Sequence, residues 1–300
     1  MHVFLTGATG FIGSRIVPEL LAAGHRVLGL TRSEAGMRWL AQAGAQAHRG
    51  TLDDPDSIAR GAAQADAVIH TAFDHDFSHF VENCEKDRRV IEAMAGVLAG
   101  SDRPLIITSG TGMGSPGPGA LAVETVFDRA SPNPRRLSEL TGEDMARRGV
   151  SVAVVRLPQV HDTVKQGLIS PAIAIARQTG VSAYVGDGAN RWPAAHVTDV
   201  ARLYRLALDR HEPGARWHAV DEEGISVRQI AEVIGAGLGV PVRSLSVAEA
   251  ARHFGWLAPF AAMDLPASSA WTRDRLGWQP RGCGIIEDLR NMEYGAAEAA

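Results

Sequence analysis

From the second residue onward, short apolar runs alternate with longer stretches in which apolar residues recur every three or four positions. Residues 2–6, 26–31, 46–50, 67–72, 104–109, 151–157 and 216–220 are the strand candidates, several of them such runs. Residues 11–23, 33–43, 55–63, 78–99, 137–149 and 197–209 carry the helical period between them. Ile12, Ile16, Val17, Leu20 and Leu21 mark one face of the first helix. Pro18 interrupts it and is expected to bend it, while Gly24 suits a left-handed cap. This alternation predicts an α/β fold, a Rossmann-type doubly wound parallel sheet with helices on both faces. Runs such as DAVIHTAF and VAVVRLP are apolar along most of their length, as strands covered on both faces must be.

The first strand runs into the first helix through TGATGFIG, with Gly7, Gly10 and Gly13 at a spacing of three. Glycines in that setting are what a phosphate-binding turn requires. Gly7 permits the tight turn, Gly10 lets backbone approach a diphosphate, and Gly13 lets helix and strand pack closely. The helix N-terminus then faces the anion. Thr6, Gly7, Thr9, Gly10, Phe11, Ile12 and Gly13 are therefore the expected cofactor loop.

In the last third, SVRQIAEVIGAGLGVPV reads as a helix capped by Ser226, and SVAEAARHF offers a capping box of Ser246 and Glu249. With residues 161–195 these segments predict a smaller, mostly helical C-terminal substrate lobe. Residues 1–160 plus 196–220 would form the dinucleotide-binding domain. Residues 161–195 plus 221–300 would form the substrate-binding lobe.

Composition narrows the function. The 300 residues are 45% hydrophobic and 21% charged with a net charge of −4, so nothing electrostatic favours nucleic acid or an anionic membrane. Cys84 and Cys283 match no metal spacing and no disulfide framework, which fits a reducing, cytoplasmic setting. No apolar run approaches a membrane span, and a strand starting at residue 2 leaves no room for a signal peptide. The Ala-rich tail after Tyr294 is the one low-complexity segment. FDHDFSHF brings Asp74, His75, Asp76 and His79 together, with His75 and His79 spaced for one helix face. No third ligand is indicated, and no metal site is expected. Of 30 basic residues only Lys86 and Lys165 are lysine.

The second strand ends in Thr31, Arg32 and Ser33, where an NAD-binding turn would place an acid on the ribose 2′-hydroxyl. Arg32 can grip a 2′-phosphate and Ser33 can donate to it, so NADP is favoured over NAD.

TGATGFIG, GTLDD, DAVIHTAF, LIITSG, VVRLPQVHD and the closing DRLGWQP together resemble the extended short-chain dehydrogenase/reductase family, of the NAD-dependent epimerase/dehydratase type, over nearly the whole chain. The resemblance implies that Thr51 and Leu52 flank the adenine. It implies that Thr71, Ala72 and Phe73 line the ribose and diphosphate, and that Pro158 and Val160 shape the nicotinamide pocket. Asn83 matches the asparagine of the family's central helix. The family's chemistry uses a serine, a tyrosine and a lysine four residues after the tyrosine. Ser109 stands at the serine position, but Arg135 and Glu139 stand where the pair belongs. Tyr184, Tyr204 and Tyr294 are followed four residues on by Gly188, Leu208 and Glu298, so the pair is not elsewhere. The chain resembles an atypical member without that pair, and Arg135 and Glu139 are expected to be ordinary structural positions.

Replacement chemistry is sought in residues 157–171, where His161 could donate a proton and Lys165 could hold an anion. Thr111, Tyr184, Arg191 and Trp192 are candidates for the substrate side, whereas His196 and Asp199 read as positioning the next helix. The family often grips a nucleotide diphosphate with an arginine near Arg191. These residues support an NADP(H)-dependent oxidoreductase acting on a small carbonyl or conjugated substrate. A sugar-nucleotide epimerase or dehydratase and a non-catalytic NADP(H)-sensing regulator are the alternatives. The expected partner is a small molecule, with a homodimer suggested only by analogy with the fold.

Overall fold

The computed structural model describes residues 1–295; the Ala-rich tail beyond Gly295 lies outside the described residues. The first half alternates β1 (His2–Thr6), α1 (Gly13–Ala22), β2 (Arg26–Thr31), α2 (Glu34–Gln42), β3 (Gln46–Arg49), α3 (Pro55–Ala63), β4 (Ala67–His70), α4 (Phe80–Leu98), β5 (Leu105–Gly110), α5 (Arg136–Arg147) and β6 (Val152–Leu157). There follow β7 (Gln159–His161), α6 (Ile169–Thr179), β8 (Ser182–Val185), β9 (Arg191–His196), α7 (Val197–Asp209), β10 (Arg216–His218), β11 (Glu222–Ser226), α8 (Val227–Leu238), β12 (Val242–Leu245), α9 (Val247–Phe254), α10 (Ala258–Ala261), α11 (Ala270–Leu276) and α12 (Ile285–Asn291).

Seven of these strands form one parallel sheet in the order β10-β6-β5-β4-β1-β2-β3. The chain leaves β3 at one edge and returns to β4 beside β1. The crevice at the carboxyl ends of β1 and β4 is thus the topological switch point where such sheets take ligands. Neighbouring residues of β1 enter different cores. Val3 and Leu5 pack with Ile16, Leu20, Val200, Tyr204 and Trp217 on one face. Phe4 packs with Ile58, Val68, Ile91 and Ile107 on the other. Each aliphatic side chain fully buried this way contributes about 1.5–3 kcal/mol relative to exposure. α1 runs unbroken through Pro18, whose exposed face leaves the unbonded carbonyl to water. Gly24, φ +82°, follows it in the left-handed region.

The second lobe carries more strand than its sequence pattern suggested. β11-β9-β7 and β12-β8 form two small sheets beside α6, α8 and α12. Their strands have only three to six residues, too short for a period of two to stand out. Ile169, Ile173, Trp192, Ile230, Ile234 and Leu289 fill this lobe's core. Val160 and Ala195 pack instead into the first core, so the lobes share a seam. Ser226 accepts from the Gln229 N–H, and Ser246 and Glu249 complete the capping box. Among the described residues no helix is long and apolar enough to cross a membrane.

Candidate cofactor and substrate site

The glycine loop is shaped by contacts that leave no room for side chains. Gly7 has φ +67°, and a Cβ there would press on Thr71 Oγ1 at 2.8 Å and Ala72 N at 2.9 Å. A Cβ on Gly13 would run into the Gly7 carbonyl. Gly10 N–H donates to that carbonyl at 2.9 Å and closes the turn. Gly10 itself is exposed, as is Thr9, and a Cβ there would meet Gly7 O only at 3.2 Å. Phe11 and Ile12 are half-buried and lead into α1, whose first-turn N–H groups form an anion-accepting end. Thr6 is enclosed. Its hydroxyl meets His70 Nδ1 at 2.7 Å and accepts from Ala72 N–H at 3.2 Å, while Thr71 Oγ1 donates to Thr6 O at 2.8 Å. Thr6 and Thr71 thereby tie the loops after β1 and β4 together, and the cradle between them fits a dinucleotide diphosphate.

Beyond β2, Thr31 is buried, and Ser33 caps α2 by accepting from Gly36 N–H at 3.0 Å. That leaves the Ser33 proton available to donate. Arg32 is exposed with no hydrogen-bond or ion-pair partner among the described residues, whereas the nearby acid, Glu34, is held by Arg49 at 3.0 Å. Thr51 and Leu52 are half-buried after β3. Lys86, whose rarity stood out without indicating a role, bridges Asp53 and Asp74 at 2.9 Å each. It fastens the loops after β3 and β4 to one another.

At the end of β5 the Ser109 hydroxyl is buried without a hydrogen-bond partner among the described residues. It lies beside the Glu139 carboxylate without meeting it in hydrogen-bond geometry. Thr111 follows, also buried. Arg135 and Glu139 are brought to Ser109 by α5, and neither is an ordinary position. Arg135 donates to Asp87 Oδ2 at 2.6 Å, to the Ser138 hydroxyl and to Thr108 O at 3.0 Å, and its guanidinium lies 4.1 Å from the Phe73 ring centre. Asp87 also meets His70 Nε2 at 2.9 Å and Ser138 Oγ at 2.6 Å. Burial would raise the Asp87 pKa, but Arg135 and His70 outweigh it and hold the carboxyl well below its usual range.

Glu139 binds Arg156 through two 2.8 Å contacts, both side chains fully buried, and takes a third from Arg216 at 2.9 Å. Arg156 also reaches Val126 O at 2.8 Å and His218 Nε2 at 3.1 Å. Burial and then the Arg156 charge push the His218 pKa down to about 3, so its neutral ring donates to Ser268 O from Nδ1. The sequence held one signal for this network: Arg156 interrupts the apolar run VAVVRLP, and a buried arginine demands a buried acid. Nothing local showed that Glu139 was that acid.

His161 departs from expectation. β7 pairs with β9 in a register that sets His161 opposite His196, turning its ring inward against α12. The ring is fully buried, Nδ1 meets Asp288 Oδ2 at 2.7 Å, and Nε2 has no partner. Burial lowers its pKa more than Asp288 raises it. A neutral, enclosed imidazole does not serve as a proton donor to a substrate in the cleft. Lys165 is exposed, its backbone N–H held by Asp162 at 2.9 Å and its amino group unpaired among the described residues. Pro158 is half-buried and Val160 buried at the seam.

The substrate candidates separate. Trp192 is 3% exposed and belongs to the core of the second lobe. Arg191 is held by Asp264 through its backbone N–H at 2.7 Å, Nε at 3.0 Å and Nη2 at 2.8 Å, so it is not a free diphosphate grip. Tyr184 is half-buried, with the Arg228 guanidinium 5.7 Å from its ring centre. His196 caps α7, and Asp199 accepts from the Arg281 and Gly282 N–H groups, as positioning residues do. Asn83 donates to Asp76 O at 2.8 Å and anchors the loop after β4. His75 and His79 do not share a helix face. α4 begins only at Phe80, and His79 pairs with Asp76.

Comparison with known proteins agrees with this geometry. Residues 3–220 match the model of the NAD dependent epimerase/dehydratase family. The chain is 47% identical over 295 residues to a Schizosaccharomyces pombe protein named "Uncharacterized protein C2A9.02", covering 98% of this chain and 100% of that one. It is 29% identical to a UDP-glucose 4-epimerase of Streptomyces lividans, covering 92% and 90%. Among solved structures, the UDP-glucose 4-epimerase of Thermus thermophilus in complex with NAD superposes with a TM-score of 0.72 at 22% identity, covering 99% of this chain and 100% of that one.

Proposed function

The chain belongs to the NAD dependent epimerase/dehydratase family, and from that membership we propose that it is an NADP(H)-dependent oxidoreductase acting on a small carbonyl or conjugated substrate. Relatives in the family include epimerases, reductases and dehydratases, all built on this fold. The reductase reading rests on Ser109, whose hydroxyl stands at the carboxyl end of β5, at the family's serine position, with no hydrogen-bond partner among the described residues to compete with a substrate oxygen. A bound nicotinamide supplies or takes the hydride. The glycine loop and the α1 N-terminus hold the diphosphate, Thr71 to Phe73 the ribose, Thr51 and Leu52 the adenine, and Pro158 and Val160 shape the nicotinamide pocket. Ser109 donates to the substrate oxygen as charge grows there, and Lys165 offers a charge to an anionic substrate group. With Arg135 held by Asp87 and His161 enclosed, the proton comes from water. Ser109→Ala should lower kcat at least about tenfold while leaving NADPH affinity unchanged, since a transition-state donor affects turnover selectively. Single-turnover kinetics beside NADPH titration checks this, and parallel losses in both would refute the role.

The preference for NADP(H) rests on Arg32, unpaired beside an already neutralised Glu34. Arg32→Ala should weaken NADPH binding roughly ten- to a hundredfold and NADH binding little, as loss of one charge-assisted contact implies. Equal losses in calorimetry with both cofactors would show that Arg32 acts elsewhere. The engagement of Arg191 by Asp264 disfavours a sugar-nucleotide substrate. The engagement of Arg135 by Asp87 and of Glu139 by Arg156 favours one second reading, a regulator that senses NADP(H) without chemistry. A carbonyl and enone panel with no turnover, together with NADPH-dependent affinity for a partner protein, would select that reading.

A further inference from the structure

The chain has eight phenylalanines, and four of them, Phe73, Phe77, Phe80 and Phe260, are half-buried in one cluster, with Phe260 also packed against the second lobe's core. Trp256, 44% exposed, completes it. Phe77 stacks on Trp256 with ring centres 4.6 Å apart and planes within 6°. Phe73 and Phe80 meet edge to face at 6.2 Å, and Phe77 and Phe260 at 6.3 Å. His75 lies edge-on to Phe73 at 5.5 Å. The cluster therefore runs from the loop after β4 to the 255–260 segment of the second lobe. One end is fixed chemically, because Phe73 directly follows Thr71 and Ala72 and is capped by Arg135, beside the strand that carries Ser109. Large apolar rings left partly exposed forgo burial that a core would give them, and a contiguous group of them marks a binding surface.

We propose that this cluster is the substrate subsite and receives a flat apolar ring, so that the substrates are aryl or similarly planar unsaturated carbonyl compounds. The inference rests on the oxidoreductase reading above and names its substrate class. Ring faces and edges favour planar, polarisable partners over saturated ones of equal size. Continuity with the loop that carries Thr71 and Ala72 favours a small molecule over a protein, since the surface begins inside the crevice.

The test is calorimetry on the full chain saturated with NADP⁺, which cannot reduce the probe, using 2-naphthaldehyde and its saturated analogue decahydro-2-naphthaldehyde. Wild type should bind the aromatic probe about tenfold more tightly or better. Trp256→Leu should remove that difference without changing NADPH affinity, and Trp256→Phe should restore most of it. Equal affinity for the two probes in the wild type overturns the proposal, as does an unaltered preference in Trp256→Leu. Loss of thermal stability in Trp256→Leu with probe preference intact would make the stack a latch between lobes. A dimer broken by Trp256→Leu, again with preference intact, would make it a subunit contact. Absence of NADPH binding in the wild type would instead refute the cofactor reading, a separate and recognisable failure.

Discussion

Glu139→Ala should cost roughly 3–5 kcal/mol of folding stability, the loss expected when one member of a buried ion pair is removed. Arg156 would keep its charge in a site with no exposure, left with backbone carbonyls, His218 and the Phe127 ring but no carboxylate. Arg216 would retain Glu143 at 2.7 Å, so the damage centres on Arg156. Denaturant unfolding of Glu139→Ala beside Arg156→Met/Glu139→Leu checks the cause. The double variant should recover much of the loss, because it removes the stranded charge as well as the pair. A single variant within about 1 kcal/mol of wild type would show that the site relaxes to admit water. The same pair sets a pH dependence. Burial raises the Glu139 pKa, but hydrogen bonds and charge from Arg156 outweigh it and hold the carboxyl below its unfolded value of 4.5. A depressed folded-state pKa gives stability that is complete above pH 4.5 and is lost as pH falls through the folded value. Wild type should therefore lose stability more steeply than Glu139→Gln below about pH 4.5.

Gly10→Asp should leave the fold intact and weaken cofactor binding by more than about a hundredfold, some 2.7 kcal/mol. The space for a Cβ decides the first half. At Gly10 it meets a single carbonyl oxygen at 3.2 Å, whereas at Gly13 it would collide with the same carbonyl. Charge decides the second half, since a carboxylate would stand where the loop and the α1 N-terminus offer N–H groups to a diphosphate. NADPH titration with a thermal melt of the same sample is the measurement. Retained affinity with a normal melt would mean that the diphosphate lies elsewhere.

Most of the sheet strands were legible because they are short apolar runs set by their own residues, whereas β3 (Gln46–Arg49) carries a single apolar residue. The second lobe's small strands were not, since three to six residues of mixed burial leave no period to read. The tight glycine turn was legible from its spacing, because Gly7 and Gly13 stand where a Cβ has no room. His161 was misplaced because a histidine after a strand gives no indication of which way its ring turns. Only the pairing of β7 with β9 and the arrival of α12, which carries Asp288, 127 residues later, enclosed it. The aromatic cluster escaped notice because Trp256 lies far along the chain from the loop after β4.

By itself the sequence determined the alternating strands and helices, the doubly wound sheet and the tight glycine turn between β1 and α1. Each depends on neighbours within a few positions, where backbone conformation and periodic burial are decided. The tertiary structure alone decided what stands at the carboxyl end of β5. There Arg135 meets Asp87 across 48 residues, and Glu139 meets Arg156 and Arg216 across 17 and 77. Ion pairing depends on distance and local dielectric in three dimensions, and neither quantity is written into the order of residues along the chain.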